Sequence, residues 1–501
     1  MSSDEGRAEL GSRTARGMAW AYGSYVGGRL LTLAATAILA RLLVPDEFGL
    51  VALALTMMAL LEGFADLGLT QALIVEDDDR FEDRSDTVFT STVILGAILT
   101  VLLAALGPPA ARFFDEPDLA PIAAVLGSTF LLRAFGATHY ALAQRSLDFR
   151  TRTIAETADV VIRGIVSIVL AVAGFGVWSL VVGYVVGTLT RDVALWILVR
   201  WRPRIRLVRS HLREMIGFGG AISGVNVVAT VINNLDYVFV GKVLGTSALG
   251  FYTLGFRLPE LLILNFSVVA GVVLFPAFSA VNRVDLAQAF LISFRYTVML
   301  GMLLAVCLAG LAESVVLALF GDQWLGSVEA MQVLTVYALA ANLGIPAGTI
   351  LKATKRAGTL LLVALLRLAL VVIGLVVFID SGIVAVAAVQ AVVTTLGDLI
   401  VTVIAVQLLS LGMGSLWREA WPSLAAAAVT TPVVIGVEHL IEDPWLTLVV
   451  GGALALVAYL ATLAILAPEW LRYVRTRLRG RGAVEAPPEP DPLTGDIDNP
   501  L

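Results

Sequence analysis

Trp201-Arg202-Pro203-Arg204-Ile205-Arg206-Leu207-Val208-Arg209-Ser210-His211-Leu212-Arg213 is the longest basic link in this chain, and its position decides the fold. Apolar runs of about 20 residues, long enough to cross a bilayer as a helix, recur on both sides of it. Six precede it: residues 15–43, 48–75, 86–110, 118–145, 152–173 and 176–200. Eight follow: 214–242, 247–279, 286–312, 326–352, 358–379, 382–409, 418–438 and 446–467. Losing one span from the first group would put the six arginines from Arg200 to Arg213 on the other side of the membrane. Turn chemistry marks the short links: Pro45-Asp46, Glu116-Pro117, Gly174-Phe175-Gly176, Asp380-Ser381-Gly382 and Asp443-Pro444.

Composition agrees with the spans. The 501 residues are 58% hydrophobic and 15% charged, against roughly 25% charged in soluble domains. The expected fold class is an all-α integral membrane protein of fourteen transmembrane helices. The first apolar run is too long for a cleaved signal peptide and reads as a retained span. Twenty-four basic residues fall on one side, three (Arg41, Arg112, Lys242) on the other, and seven within spans. That bias predicts a multi-pass protein of the plasma membrane with both termini cytoplasmic. The net charge of −6 says little, because placement matters more than the sum. A single cysteine, Cys307, excludes disulfides within the chain and a thiolate metal cluster. His139, His211 and His439 make no metal-ligand spacing, and no Gly-rich phosphate loop or Ser-His-Asp set is present. No enzyme, metal, cofactor or nucleic-acid partner is expected. Arginine outnumbers lysine 31 to 3, which reads as genome composition or a halophilic habit.

The basic link also reads as a seam between related halves. Arg41-Leu42-Leu43 is followed by Phe48-Gly49, and Lys242-Val243-Leu244 by Leu249-Gly250. The offset is 201 residues, at the same inter-span link of each half. Expected units are an N-terminal six-span lobe (1–200), a basic cytoplasmic linker (201–213) and a second six-span lobe (214–410). Two further spans (411–467) and a disordered cytoplasmic tail (468–501), basic and then acidic and proline-rich, complete the chain. Two lobes built from repeats place a transport site at their interface. Pro259, Gly271 and Pro276 in the eighth span, and Pro346 and Gly348 in the tenth, are expected to break their helices, as where a cavity is lined.

Seven arginines lie inside spans: Arg29, Arg133, Arg163, Arg191, Arg257, Arg295 and Arg367. Each costs about 2.5–3.5 kcal/mol at the bilayer centre on insertion scales, so they must face partners or a water-filled cavity. Arg163 shares a helix face with Asp159 and Glu156, and Arg257 has Glu260 three residues on. These two read as neutralised struts or as substrate ligands. Arg191 adjoins Asp192, whose side chain is expected to point elsewhere on the helix. Arg295 and Arg367 sit nine residues into their spans and are expected to snorkel toward the cytoplasmic surface. Arg29 and Arg133 have no acid at helical spacing in their own spans, so they are the leading anion ligands. The competing assignment is a cross-helix ion pair to Glu62 or Asp66. Guanidinium forks suit phosphate oxygens.

The intramembrane acids Glu62, Asp66, Asp236, Glu260 and Asp398 either pair with these arginines or carry a coupling proton or sodium ion. Asn233 and Asn234 adjoin Asp236, with Asn226 one face-repeat earlier. The acidic run Glu76-Asp77-Asp78-Asp79 is followed at once by Arg80, Glu82, Asp83 and Arg84 and reads as a solvated link.

Several stretches resemble the Wzx-type polysaccharide flippases of the multidrug/oligosaccharidyl-lipid/polysaccharide exporter superfamily. They are Leu39 to Leu50, Phe64 to Ile74, Leu249-Gly250-Phe251-Tyr252, Arg257-Leu258-Pro259-Glu260, Val273 to Ser279 and Gly174 to Val181. The resemblance runs over about residues 12–410. It implies two pseudo-symmetric six-helix lobes around a central cavity, two extra helices and alternating access. The implied cargo is a polyprenyl-diphosphate-linked oligosaccharide moved to the outer leaflet for exopolysaccharide or lipopolysaccharide export. A polymerase and glycosyltransferases are implied partners. The resemblance carries no tight site motif, so Arg29 and Arg133 as diphosphate ligands rest on their depth and on the lack of an acid at helical spacing in their own spans. A multidrug/cation antiporter of the same fold would favour an acidic, aromatic cavity. A membrane polymerase or ligase would need a sizeable outer loop, and the longest here, residues 313–325, has about 13 residues. An uncoupled lipid scramblase is the remaining alternative.

Overall fold

In the computed structural model, residues 27–65, 68–70, 73, 81–208, 229–264, 278 and 283–470 are described. Asp66, Asn226, Gly271, Pro276, the acidic run 76–79, the second half of the basic link and the tail lie outside them. The described residues form helices and contain no β-strand. Nine helices among them are long and apolar enough to cross a membrane, which makes this a multi-pass membrane protein.

A helix over residues 27–42 (α1) leads into α2 (Pro45–Glu62). Pro45 pre-sets the first turn of α2, and the Glu47 carboxylate accepts the Val44 amide at 3.0 Å. The expected second span ran to residue 75, but α2 stops at Glu62, where the Gly63 amide turns back onto the Leu61 carbonyl. Next come α3 (Phe81–Phe114), α4 (Leu119–Arg145), α5 (Phe149–Val172) and α6 (Val177–Leu198). The Asp148 side chain caps α5 by accepting the Thr151 amide at 3.0 Å. Gly174 and Gly176 take positive φ values of 84° and 54° in the turn before α6, as the Gly-Phe-Gly sequence predicts.

Beyond the seam, a helix over residues 229–243 (α7) precedes α8 (Gly245–Pro259), which widens into a π-helical turn, Glu260–Leu264. Pro259 removes an amide there, so the regular ladder gives way as expected. Then follow α9 (Arg283–Gly310), a short α10 (Ala312–Leu319), a 3₁₀ stretch (Asp322–Ser327) and α11 (Val328–Ala353). The expected break at Pro346 and Gly348 is absent, because α11 runs through both. Neighbouring helices hold it, with Asn342 donating to the Thr297 carbonyl at 3.4 Å. The remaining helices are α12 (Ala357–Phe378), α13 (Ile383–Leu408), α14 (Met413–Leu440) and α15 (Pro444–Leu466). α14 and α15 pack as a pair and lean on α9, where the Tyr459 hydroxyl donates to the Met299 carbonyl at 2.8 Å.

Two features place the site. First, α2 and α8 cross in close contact. A Cβ added at Gly49 would meet the Thr246 backbone, and one at Gly250 would meet the Pro45 backbone. Second, the link 313–325 is a folded plug rather than an open loop. Trp324 is fully buried and its indole donates to the Ala40 carbonyl at 2.7 Å. Its ring meets Phe48 edge-on at 5.1 Å and Phe251 at 6.0 Å. The Arg41 guanidinium caps α10 by donating to the Ala318 and Leu319 carbonyls at 2.5 and 3.3 Å. The stretch is thereby packed against the α1–α2 turn and α8.

Candidate functional site: an arginine-lined central cavity

A cavity of about 400 Å³ is walled by α1, α2, α5, α6 and α8, with Phe48, the ring partner of Trp324, in its lining. Arg29 from α1, Arg163 from α5 and Arg257 from α8 line it together, with Asp159, Thr32 and Tyr184. The cavity therefore draws its cations from both sides of the seam. A smaller pocket joins Arg29 to Arg257 and Glu260.

Each guanidinium is held differently. Arg163 grips Asp159 one turn earlier, Nη2 lying 2.7 and 2.9 Å from the two carboxylate oxygens, and its plane sits 4.1 Å over the Tyr184 ring. Gly187 on α6 makes room for this pair, since a Cβ there would strike Asp159 and Arg163. Gly183, four residues earlier, lies against Ser167 and the Arg163 carbonyl, so α5 and α6 approach along a glycine row. Arg257 reaches Glu260 at 3.4 Å, a loose pair that leaves the fork available. Glu156, expected on the Arg163 face, instead accepts from the Tyr140 hydroxyl at 2.8 Å.

Arg133 stands behind Tyr184 rather than in the cavity wall. It forms an ion pair with Glu62 across the α2–α4 contact and donates to the Tyr184 hydroxyl at 2.8 Å. Tyr184 thus touches both Arg133 and Arg163. The sequence signal for it is a lone tyrosine between Gly183 and Gly187 in the apolar first half of α6. Arg191 also departs from expectation. Its Nη2 meets Asp192 Oδ1 at 2.9 Å, although adjacent helical positions project apart. The long arginine side chain bends back, and Gly136 on α4 leaves space for the carboxylate.

A second polar cluster lies beyond the seam. Asp236 on α7 is buried and accepts from the Tyr252 hydroxyl at 2.6 Å. A cavity of about 30 Å³, lined by Asn233, Asp236, Tyr252, Tyr337, Arg367 and Gln390, adjoins it. That is room for a water-sized occupant. Arg367 is not snorkelling but pairs with Asp398 on α13 at 3.2 Å. Arg295 likewise pairs with Glu419 on α14 at 2.5 Å, under the Trp470 ring at 4.8 Å. Both arginines have acid partners on neighbouring helices, which compensate their charge within the bundle. Among the described residues, no group of three or more His, Cys, Asp or Glu side chains is arranged to hold a metal ion.

The sequence pattern of a family described as polysaccharide biosynthesis protein matches residues 38–329. The succinoglycan biosynthesis transport protein ExoT of Rhizobium meliloti (strain 1021) is 28% identical over 348 residues, covering 68% of this chain and 69% of that protein. The lipopolysaccharide biosynthesis protein WzxC of Escherichia coli (strain K12) is 24% identical over 331 residues, 65% of this chain and 67% of that protein. Among solved structures, the lipid II flippase MurJ in an inward closed conformation superposes with a TM-score of 0.77 at 13% identity, over 90% of this chain and 99% of that one. An inward-facing multidrug resistance MATE family transporter of the MOP superfamily superposes with a TM-score of 0.62 at 18% identity, over 76% of this chain and 94% of that one. At such identities the likeness is one of fold.

Proposed function

We propose, from the premise that this chain belongs to the polysaccharide biosynthesis protein family, that it is a flippase for a polyprenyl-diphosphate-linked oligosaccharide. The observation that carries this reading is the convergence of Arg29, Arg163 and Arg257 on one cavity. A diphosphate carries several negative charges and needs cations in a wet pocket, whereas organic cations would be repelled there. Arg29 and Arg257 supply the leading ligands, and Arg163, already matched by Asp159, supplies the third. Arg133 acts from behind through Tyr184, whereas Arg191, paired with Asp192, lies outside this cavity wall.

In this reading the fold has fourteen spans, arranged as two six-helix lobes and a C-terminal pair. Both termini face the cytoplasm. The plug at Trp324 closes the outer side, and the cargo loads from the inner leaflet. Transport then exchanges this closure for one at the opposite end, with the α2–α8 seam as the contact that must reorganise. Asp236, in its small pocket, is the proposed site of a coupling proton or sodium ion. Glycosyltransferases and a polymerase are the proposed neighbours in the membrane.

The test is translocation of a fluorescent polyprenyl-diphosphate oligosaccharide in reconstituted vesicles. Wild type is expected to move it, and Arg29→Ala and Arg257→Ala each to slow it at least tenfold. Full activity in the double variant would remove the site assignment. Efflux of an organic cation with no lipid-linked sugar movement would replace the flippase by an antiporter.

A further inference from the structure

The first residues of the basic link are neither helix nor loose loop. Residues 201–208 run extended along α3. Asp86 Oδ1 accepts the Arg204 amide at 2.9 Å, Thr90 Oγ1 the Arg206 amide at 3.1 Å and Thr87 Oγ1 the Val208 amide at 3.4 Å. Both threonine hydroxyls donate to carbonyls one turn back, at 2.8 Å, so the strap uses their spare acceptor capacity. Every second amide is tied to one helix face, and extended backbone sends alternate side chains to opposite sides. Arg202, Arg204 and Arg206 form one row; Trp201, Pro203, Ile205 and Leu207 form the other.

Ile205 is 89% exposed and Leu207 47%, an unfavourable placement in water. Beside the strap, α4 and α6 leave an open groove of about 600 Å³, lined mainly by Phe135, Leu189, Val193, Trp196 and Ile197, with Arg202 at its rim. The local charges are unequal. Arg206 is taken by Asp83, Asp86 holds the strap amide, and Asp192 at the groove is matched by Arg191. Arg202 caps the end of α6 through the Trp196 and Val199 carbonyls at 3.0 and 3.2 Å. Among the described residues the side chains of Arg200 and Arg204 make no ion pair or hydrogen bond.

We propose that the strap and the α4–α6 groove together bind an anionic diacyl phospholipid. An acyl chain lies in the groove, the phosphate sits against Arg200, Arg202 and Arg204, and Ile205 and Leu207 dip into the same leaflet. Charge complementarity selects the occupant: a run of arginines, with Arg202 at the mouth of an apolar groove, next to Trp196 and Trp201. The site is separate from the central cavity and does not depend on what that cavity carries.

The full-length protein, reconstituted with equal phosphatidylglycerol and phosphatidylcholine, tests this. Native mass spectrometry on release should show at least fivefold preferential retention of phosphatidylglycerol. Arg200→Gln/Arg204→Gln, which removes no ion pair or side-chain hydrogen bond among the described residues, should lose that preference while melting at the wild-type temperature. A photoactivatable phosphatidylglycerol should label the peptides spanning residues 189–207 of the wild type. Equal retention of the two lipids by wild type, an unchanged preference in the double variant, or labelling only elsewhere would each overturn the proposal.

Discussion

Gly49 on α2 rests on the backbone of Thr246 on α8, with no space for even one methyl group between them. The contact is reciprocal: Gly250 rests in the same way on Pro45. Residues 45 and 246, and 49 and 250, are both 201 positions apart, the offset at which the two basic-to-glycine segments repeat. A reciprocal pair of this kind is what a two-fold axis produces. The segments expected from sequence to repeat at this offset are thus in reciprocal contact across α2 and α8.

Gly49→Ala and Gly250→Ala are expected to destabilise the protein by similar amounts, about 1–3 kcal/mol each, as overpacking does. Gly452→Ala on α15, where an added Cβ meets nothing within 4 Å, should instead stabilise by up to about 1 kcal/mol through helix propensity. Thermal unfolding in detergent micelles measures all three. Equal tolerance of Gly49→Ala and Gly452→Ala would show that the close contact is not maintained.

The Arg367–Asp398 pair gives a different test, because both side chains are largely buried, at 26% and 16% exposure. Asp398→Leu leaves an uncompensated guanidinium and should cost about 3–5 kcal/mol. Adding Arg367→Met should recover most of that loss, since an apolar pair of similar volume often matches a buried ion pair. A double variant less stable than Asp398→Leu alone would argue against the pairing.

Tyr184 separates two roles within the central site. Tyr184→Phe deletes the acceptor for Arg133 but keeps the ring under Arg163. It should cost about 0.5–1.5 kcal/mol in stability and leave most transport of lipid-linked oligosaccharide intact. Tyr184→Leu also removes the cation–π contact, about 0.5–2 kcal/mol more, and frees Arg163 to shift. Transport in vesicles should then fall further than with Tyr184→Phe. Identical behaviour of the two variants would exclude a role for the ring.

What could be read from sequence was what is local or periodic. Helix positions followed from the apolar runs and from turn residues such as Asp443-Pro444, and Arg163–Asp159 and Arg257–Glu260 followed from helical spacing. The Arg133–Glu62 pair was foreseen as one of two assignments. Partners on distant helices were not legible: Glu419 lies 124 residues from Arg295, and no spacing rule connects them. Tyr184 escaped because a single tyrosine among apolar and glycine neighbours carries no period. The plug escaped because its apolar residues, Trp324 among them, resemble an ordinary link until Ala40 and Phe48 are brought beside it.

That plug supports the last prediction. Trp324 fills the space between the α1–α2 turn and α8, and Arg41 ties the same turn to the end of α10. Lys242, the counterpart of Arg41 at the 201-residue offset, pairs with Asp115 at 2.9 Å on the other flank. Its partner is 82% exposed, and such pairs contribute about 0–1 kcal/mol. Trp324→Ala removes a fully buried indole and should cost about 3–5 kcal/mol, whereas Lys242→Ala should cost little. In a Cys307→Ser background, a cysteine introduced at Thr36, in the cavity wall, reports whether the seal holds. A membrane-impermeant thiol reagent added on the plug side should react with it slowly in the wild-type frame. It should react at least tenfold faster with Trp324→Ala or Arg41→Ala, and scarcely faster with Lys242→Ala. Unchanged labelling in the Trp324 variant would mean that the α2–α8 crossing closes this end without the plug.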